Sequence, residues 1–457
     1  MKPWMKFALA AVVVVAFLAA AILGGAYWFW CRAESGSPWS SESAEARAEI
    51  DAGLKDLEKA YGPDAALHFE RARELDPKSP AALVLLAFSL VDGDPERATI
   101  KEEVAKLDPA RFTDHERFLV GVFSAQTKMD LAEMSRVVED YLSRHPEVAF
   151  AVSMRCMLMW DHHQWDEAEA CYRQLLKEQP QWVLAQDRLG QLAMSRGRFA
   201  EAEDQFLTYR YIAPNQAGPY GSMGVLYLLT GRYEESEASF RKALEIKQDY
   251  CPALSGLTHL YTVWGKTQQA LEMIAATEGQ SACRPIMTSG FTCSRKIFNA
   301  YLVNDRATAE EVDRSCPAPL GYSLGKHQMA VWRGDFASAL TMEAAVEKNA
   351  GADPAKQAIP FVSGYLHYLR GVRLLGQDQY PAAADEFKQA DGELRYWTGD
   401  TAILTLVNHV QWVYSLELAG RKEEAAALRK AVATVNPRLL ESMKIPALEA
   451  KLAARHP

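Results

Sequence analysis

The stretch GRFAEAEDQF, Gly197–Phe206, is written again almost letter for letter as GRYEESEASF, Gly231–Phe240, thirty-four residues later. A chain that repeats itself at a fixed interval is not an arbitrary globule. Each copy is one structural unit, and units of this size bury their apolar faces by stacking on their neighbours. The interval extends in both directions. Gly190, Gly224 and Thr258 share one register position, and Gly197, Gly231 and Gly265 a second. Ala202, Ser236 and Ala270 form a third, and Phe206, Phe240 and Ile274 a fourth. Upstream, Cys156, Ala168 and Tyr172 keep the register, and Pro146, Pro180 and Pro214 fall at the same spacing.

Apolar residues recur at helical spacing within each unit, which predicts two amphipathic helices per repeat. Gly197 and Gly231 stand where a first helix ends and a left-handed residue is commonly required. Pro180 and Pro214 stop the second helix. Over Ala149 to Ile274 the pattern resembles the tetratricopeptide repeat, with small residues at positions 8 and 20, an aromatic at 24 and proline at 32. The resemblance implies an all-α solenoid, a right-handed superhelix of helical hairpins. It also implies a role in scaffolding or assembling a multiprotein complex.

Weaker copies flank this centre. Ala65, Phe69, Ala72 and Pro77 fit the second half of a first repeat, and the stretch from Asp108 reads as two helices ending at Pro146. That stretch also resembles degenerate repeats in the sensor halves of some bacterial membrane signalling proteins. Gly334, Phe336 and Ala339 start another copy; Gly371, Ala383, Phe387 and Ala390 fit again; Gly420, Ala425 and Pro437 make a last one, with a capping helix expected from Pro446. The expected array runs over 46–276 and the degenerate repeats over 324–457, nine to eleven helical pairs in all. Between them, 277–323 carries clustered Cys, Gly and Pro and a displaced register, and is expected to be an irregular junction.

The amino terminus is of another kind. Lys2 and Lys6 precede an uncharged span, Phe7 to Ala26, of about 30 Å as a helix, followed by the aromatic cluster Tyr27, Trp28, Phe29 and Trp30. Arg32 and Arg47 are outnumbered by Glu34, Glu42, Glu45 and Glu49. The charge asymmetry predicts a cytoplasmic tail (1–6), an uncleaved transmembrane anchor (7–30), a polar linker (31–45) and an extracytoplasmic bulk, periplasmic if the source is bacterial. Signal-peptide cleavage near Gly24-Gly25-Ala26 is the competing reading. Lipidation at Cys31 is disfavoured by the bulky residues before it.

Charge and motifs exclude more than they assign. The net charge is −9, with no dense Lys/Arg block, so no nucleic-acid partner is expected. Gly321-Tyr-Ser323-Leu-Gly325 has the spacing of a nucleophile elbow, which makes a hydrolase using Ser323 a distant alternative; that elbow needs a preceding strand, and none is predicted. Gly265-Lys266-Thr267 lacks the earlier glycine of a phosphate loop, with Leu260 in its place. Asp161-His162-His163 has no matching ligand pair, so no metal, cofactor or catalytic residue is expected. Of seven cysteines, six follow Cys31: Cys156, Cys171, Cys251, Cys283, Cys293 and Cys316. In an oxidising compartment at least one disulfide is expected among them, with buried free thiols as the alternative.

Membership of the repeat family would place first-helix positions 2, 5, 9 and 12 on the concave face. These are Phe150, Ser153, Met157 and Trp160; then Leu184, Asp187, Gln191 and Met194; then Gly218, Gly221, Val225 and Leu228. The clamp that grips a chaperone's acidic tail needs Lys and Asn at positions 5 and 9, which this chain lacks. The expectation is an apolar groove for a protein or peptide segment, an amphipathic helix or an extended chain. The rival expectation is a sensory module that binds an envelope ligand and signals to a membrane partner.

Overall fold

The computed structural model describes residues 37–59, 61–90, 95–128, 130–161, 164–278, 280, 283, 289–315, 324–351, 360–394 and 399–455. The expected anchor and tail lie outside them, as do Cys31, His162, His163, Cys316 and Ser323. Among the described residues no helix is long and apolar enough to cross a membrane, and no strand occurs.

Among the described residues eleven helical pairs follow one another. They are α1/α2 (Ala44–Glu58, Gly62–Leu75), α3/α4 (Pro80–Ser89, Pro95–Val104), α5/α6 (Asp114–Thr127, Leu131–Arg144) and α7/α8 (Ala149–Asp161, Trp165–Glu178). Next come α9/α10 (Val183–Ser195, Phe199–Ile212), α11/α12 (Ala217–Leu229, Tyr233–Ile246) and α13/α14 (Cys251–Val263, Thr267–Glu278). Then follow α15/α16 (Ser289–Leu302, Arg306–Ser315), α17/α18 (Leu324–Arg333, Phe336–Gly351), α19/α20 (Pro360–Gly376, Tyr380–Glu393) and α21/α22 (Gly399–Leu418, Lys422–Val435). Two short helices, α23 (Leu439–Ser442) and α24 (Pro446–Ala453), complete the described chain.

One turn makes five of these hairpins. Gly197, Gly231, Gly265, Gly334 and Gly420 all have φ between 72° and 78°, the left-handed conformation that ends the first helix. The amide after each turns back to the carbonyl five residues earlier: Arg198 to Ala193, Arg232 to Tyr227 and Lys266 to Tyr261, all at 2.8 Å. A second device closes the pair. A Cβ on Gly190 would lie 2.3 Å from the Phe206 ring, and one on Gly224 2.6 Å from that of Phe240. Gly53 with Phe69 and Gly371 with Phe387 repeat the same contact. The missing side chain is where the second helix's aromatic sits.

Two expectations need correction. Segment 277–323, read as irregular, holds the pair α15/α16. Its turn residue is Asn304, at φ 57°, which takes the left-handed conformation that glycine takes elsewhere. The described end of the polar linker is docked rather than loose. Trp39 is buried and its indole donates to Asp51 at 3.0 Å, while the Ser40 amide and hydroxyl donate to the fully buried Glu116 at 2.9 and 3.0 Å.

The apolar interior divides into two large cores. One runs from Trp39 to Leu192 and the other from Ala193 to Leu448. In the second, the array returns on itself: α21 lies against both α11 and α13. Beyond it, the Asn436 amide donates to the Leu228 carbonyl at 3.2 Å, and the Tyr233 hydroxyl donates to the Asn436 side-chain oxygen at 3.3 Å.

Candidate functional site

The residues expected to line a groove have unequal fates. Phe150 is half-buried, with its ring edge-on to Phe118 at 6.4 Å. Met157 is exposed, but Trp160 is 6% exposed and packs edge-on against Trp165. Met194 and Leu228 are buried, whereas Leu184, Asp187, Gln191 and Val225 are half-buried. Of these nine residues Met157 is the exposed one, and the others are half-buried or buried. Val225 and Leu228 belong to the second core together with Leu404, Val407 and Val410 of α21, so the chain's own helix occupies the face of α11. The physical reason is simple: two apolar faces available within one chain bury each other before any partner arrives.

What remains of the inner face is polar. Asp187 accepts from the Ser222 hydroxyl and from the Gln191 amide, both at 2.6 Å, and Gln191 accepts from Arg188 at 2.9 Å. Burial pushes the Asp187 carboxyl above its ordinary value, against the opposing pull of Arg188 and these hydrogen bonds. The phenols of Tyr209 and Tyr250 lie in its field, each raised chiefly by burial and further by the Asp187 charge. Ser222 stands one residue further along α11 than Asp187 does along α9. A comparable contact joins the next first helices, where Arg295 of α15 donates to Ser255 of α13 at 2.9 Å. These contacts form polar rungs between successive first helices.

The middle of the array is also touched by the first hairpin. The Tyr61 hydroxyl accepts from the Ala217 amide at 3.1 Å, its ring is edge-on to Tyr250 with centroids 6.1 Å apart, and Lys247 lies 5.3 Å above that ring. Lys247 also pairs with Asp64 at 2.8 Å and Asp249 at 2.7 Å. Nothing in the sequence pattern singled out Tyr61, Asp64 or Lys247. The only available signal was Tyr61-Gly62-Pro63-Asp64, a turn that interrupts the first hairpin.

A second polar cluster lies between α5 and α6. A cavity of 360 Å³ is lined by Asp114, Arg117, Tyr141 and Arg144 among others. His145 binds Asp114 at 2.8 Å, and His115 bonds the buried Tyr141 hydroxyl. Burial alone would raise the Asp114 carboxyl, but His145, Arg144 and Arg117 hold it below the usual range. Burial, aided by the His145 charge, pushes His115 down. Arg117, Arg136 and Arg144 are all in ion pairs, so the cavity is charge-compensated. No group of three metal-ligating side chains occurs among the described residues.

Cys156 of α7 is bonded to Cys171 of α8, with Cα atoms 5.5 Å apart, and Cys251 to Cys283, with Cα atoms 5.4 Å apart. Cys293 is disulfide-bonded as well.

Comparison with known proteins gives the class. Two family models, each described as tetratricopeptide repeat, match residues 158–217 and 217–250. Those residues are tetratricopeptide repeats, and the described residues as a whole form an all-α solenoid of helical pairs. Superkiller complex protein 3 of Mus musculus is 27% identical over 103 residues, which is 22% of this chain and 7% of that protein. The chain thus spans only a small part of that relative's length. Among solved structures, a tetratricopeptide repeat protein from Parabacteroides merdae is similar at TM-score 0.38 and 14% identity, covering 61% of this chain and 93% of that one. PilW, a type IV pilus biogenesis factor, is similar at TM-score 0.39 and 16% identity, covering 46% and 96%.

Proposed function

We propose that this protein is a membrane-anchored extracytoplasmic scaffold that binds protein or peptide partners during assembly of a multiprotein envelope complex. The observation that carries the reading is the bridge Cys156–Cys171 inside one repeat hairpin, with Cys251–Cys283 three repeats later. Stacked hairpins of this class offer surface to partners, and structural disulfides persist in oxidising compartments such as the periplasm. The span Phe7–Ala26, with Lys2 and Lys6 before it, supplies the anchor and its orientation.

The test is mild crosslinking of the full-length chain in membranes, followed by mass spectrometry. A stoichiometric set of partners is expected. Recovery of the chain alone would remove the scaffold. A cytoplasm-only fluorescent reporter fused after Pro457 should stay dark, and carbonate should leave the chain in the membrane. A bright reporter, or release of a shortened form, would overturn the topology.

A further inference from the structure

We infer that the entrance of α11 and α13 is a binding site for a peptide segment carrying a tyrosine and, three residues later, a carboxylate, and that Tyr61 and Asp64 hold it shut as an internal ligand. The inference rests on the scaffold reading and names the chemistry of the segment such a scaffold takes.

Tyr61 is out of place in its own hairpin. Ile50, Ala65 and Phe69 of α1 and α2 belong to the first core, yet Tyr61 packs against the second. It gets there as a single side chain at a loop tip, across 156 residues of sequence. Its receptor is complementary on three sides. Helix α11 has no side-chain cap of its own, and the phenol oxygen takes the amide of Ala217. Tyr250 supplies the edge-on aromatic wall. Lys247 covers the ring and reaches Asp64, so one cation reads both the aromatic face and the following carboxylate. Glycines seat the receptor's own tyrosines: a Cβ on Gly218 would lie 2.4 Å from the Tyr209 hydroxyl, and one on Gly221 would lie 3.1 Å from the Tyr250 ring.

The contrast with the other return contact separates a latch from a wall. The carboxy-terminal helices reach the same two hairpins through broad apolar burial, continuous with the core. Tyr61 and Asp64 make one hydrogen bond, one aromatic edge, one cation–π contact and one partly buried ion pair, with no backbone–backbone pairing. An intramolecular ligand of that strength competes at a fixed effective concentration. A free segment of the same chemistry sees its affinity reduced by the fraction of time the site is closed.

The experiment uses the purified full-length chain and a fluorescent peptide of its own sequence, Ala-Tyr-Gly-Pro-Asp-Ala, blocked at both ends. The Tyr61→Ala chain should bind it at least tenfold more tightly than the wild type. Replacing the peptide's tyrosine by phenylalanine or its aspartate by asparagine should weaken that binding, and Lys247→Ala in the Tyr61→Ala chain should abolish it. Equal binding by wild type and Tyr61→Ala overturns the inference. So does no binding by a Tyr61→Ala chain that melts like the wild type, or binding indifferent to Lys247. Where Tyr61→Ala fails to fold, Asp64→Lys leaves the ring in place and must still increase peptide binding; no increase overturns the inference. These outcomes are distinct from failure of the scaffold, which is read from the crosslinked partners and not from this peptide.

Discussion

The two cores are built from the same hairpin but are tied together differently. From Trp39 to Leu192, each pair leans on the pairs before and after it, and the longer-range contacts are a few polar groups, Ser40 on Glu116 and Tyr61 and Asp64 on the second half. From Ala193 to Leu448, the array adds contacts that bridge some two hundred residues: Asn436 with Leu228 and Arg438 with Glu234. Stability in a simple repeat array is approximately a sum of unit and nearest-neighbour terms, and such an array loses structure piecemeal. Closing part of it makes that part a single cooperative unit. It also slows its folding, because distant segments must meet before their contacts contribute. One repeat sequence thus yields two kinds of mechanical object, and the long-range contacts decide which.

The comparison is broken most directly at Phe240, fully buried and pressed between Gly224 and Gly256. Phe240→Ala should cost about 3–5 kcal/mol. In the closed half, that loss should spread by hydrogen exchange from α11 through α22. Protection loss confined to α11–α14 would show that the closed half is not one unit. Trp160→Ala should cost about as much, near 3 kcal/mol, but lower protection only around α7–α9. Met157→Ala beside it, exposed, should cost under about 0.5 kcal/mol.

Opening Cys156–Cys171 with Cys171→Ser should cost about 3 kcal/mol or less, because the bridge closes a short loop with a sequence separation of 15. Denaturant unfolding should show the loss in the first half alone. Asn436→Ala comes next, at about 1–3 kcal/mol, since it leaves the buried Leu228 carbonyl without its side-chain donor. Its signature is a drop in cooperativity of the second half rather than a shift in the first.

The smallest effect is in pH, and its sign differs from group to group. Glu343 is pushed up by burial but held below the usual carboxylate range overall by His327 and Arg373; Asp313 is held low likewise by Lys326 and Arg333. Their contribution is present above the unfolded carboxylate values and lost as pH falls through the lower folded ones. Asp187 is raised, so its ionised form disfavours the fold, and protonation on acidification relieves that. Asp187→Asn should therefore raise the melting temperature slightly at pH 7. The gain should start to shrink as pH falls through the raised folded Asp187 value and vanish below the unfolded carboxylate value. A gain independent of pH would assign the effect to hydrogen bonding alone.

The repeats between Ala149 and Ile274 were legible because Gly197, Gly231 and Gly265 mark three of the turns and Pro180 and Pro214 two of the exits. The pair α15/α16 was not, because Asn304 carries its turn and breaks the glycine register; Asp378, at φ 60°, does the same for α19/α20. The candidate site was harder to read. First-helix positions could be counted, but whether they face solvent depends on where α21 and Tyr61 end up. Periodicity describes a residue's own helix and does not encode that. Asp187 could be placed by counting; the Lys247 that reads Tyr61 and Asp64 could not.

The return of Asn436 to the Leu228 carbonyl has a consequence under load. An open array pulled from its ends unravels one hairpin at a time, each giving way at a small force. Here a pull on the carboxy-terminal end does not peel α22 first. It shears α21 through α23 across the faces of α11 and α13, where many contacts bear the strain together. The closed half acts as a knot that must slip at once, and the open half in series with it as a spring that lengthens before the knot yields.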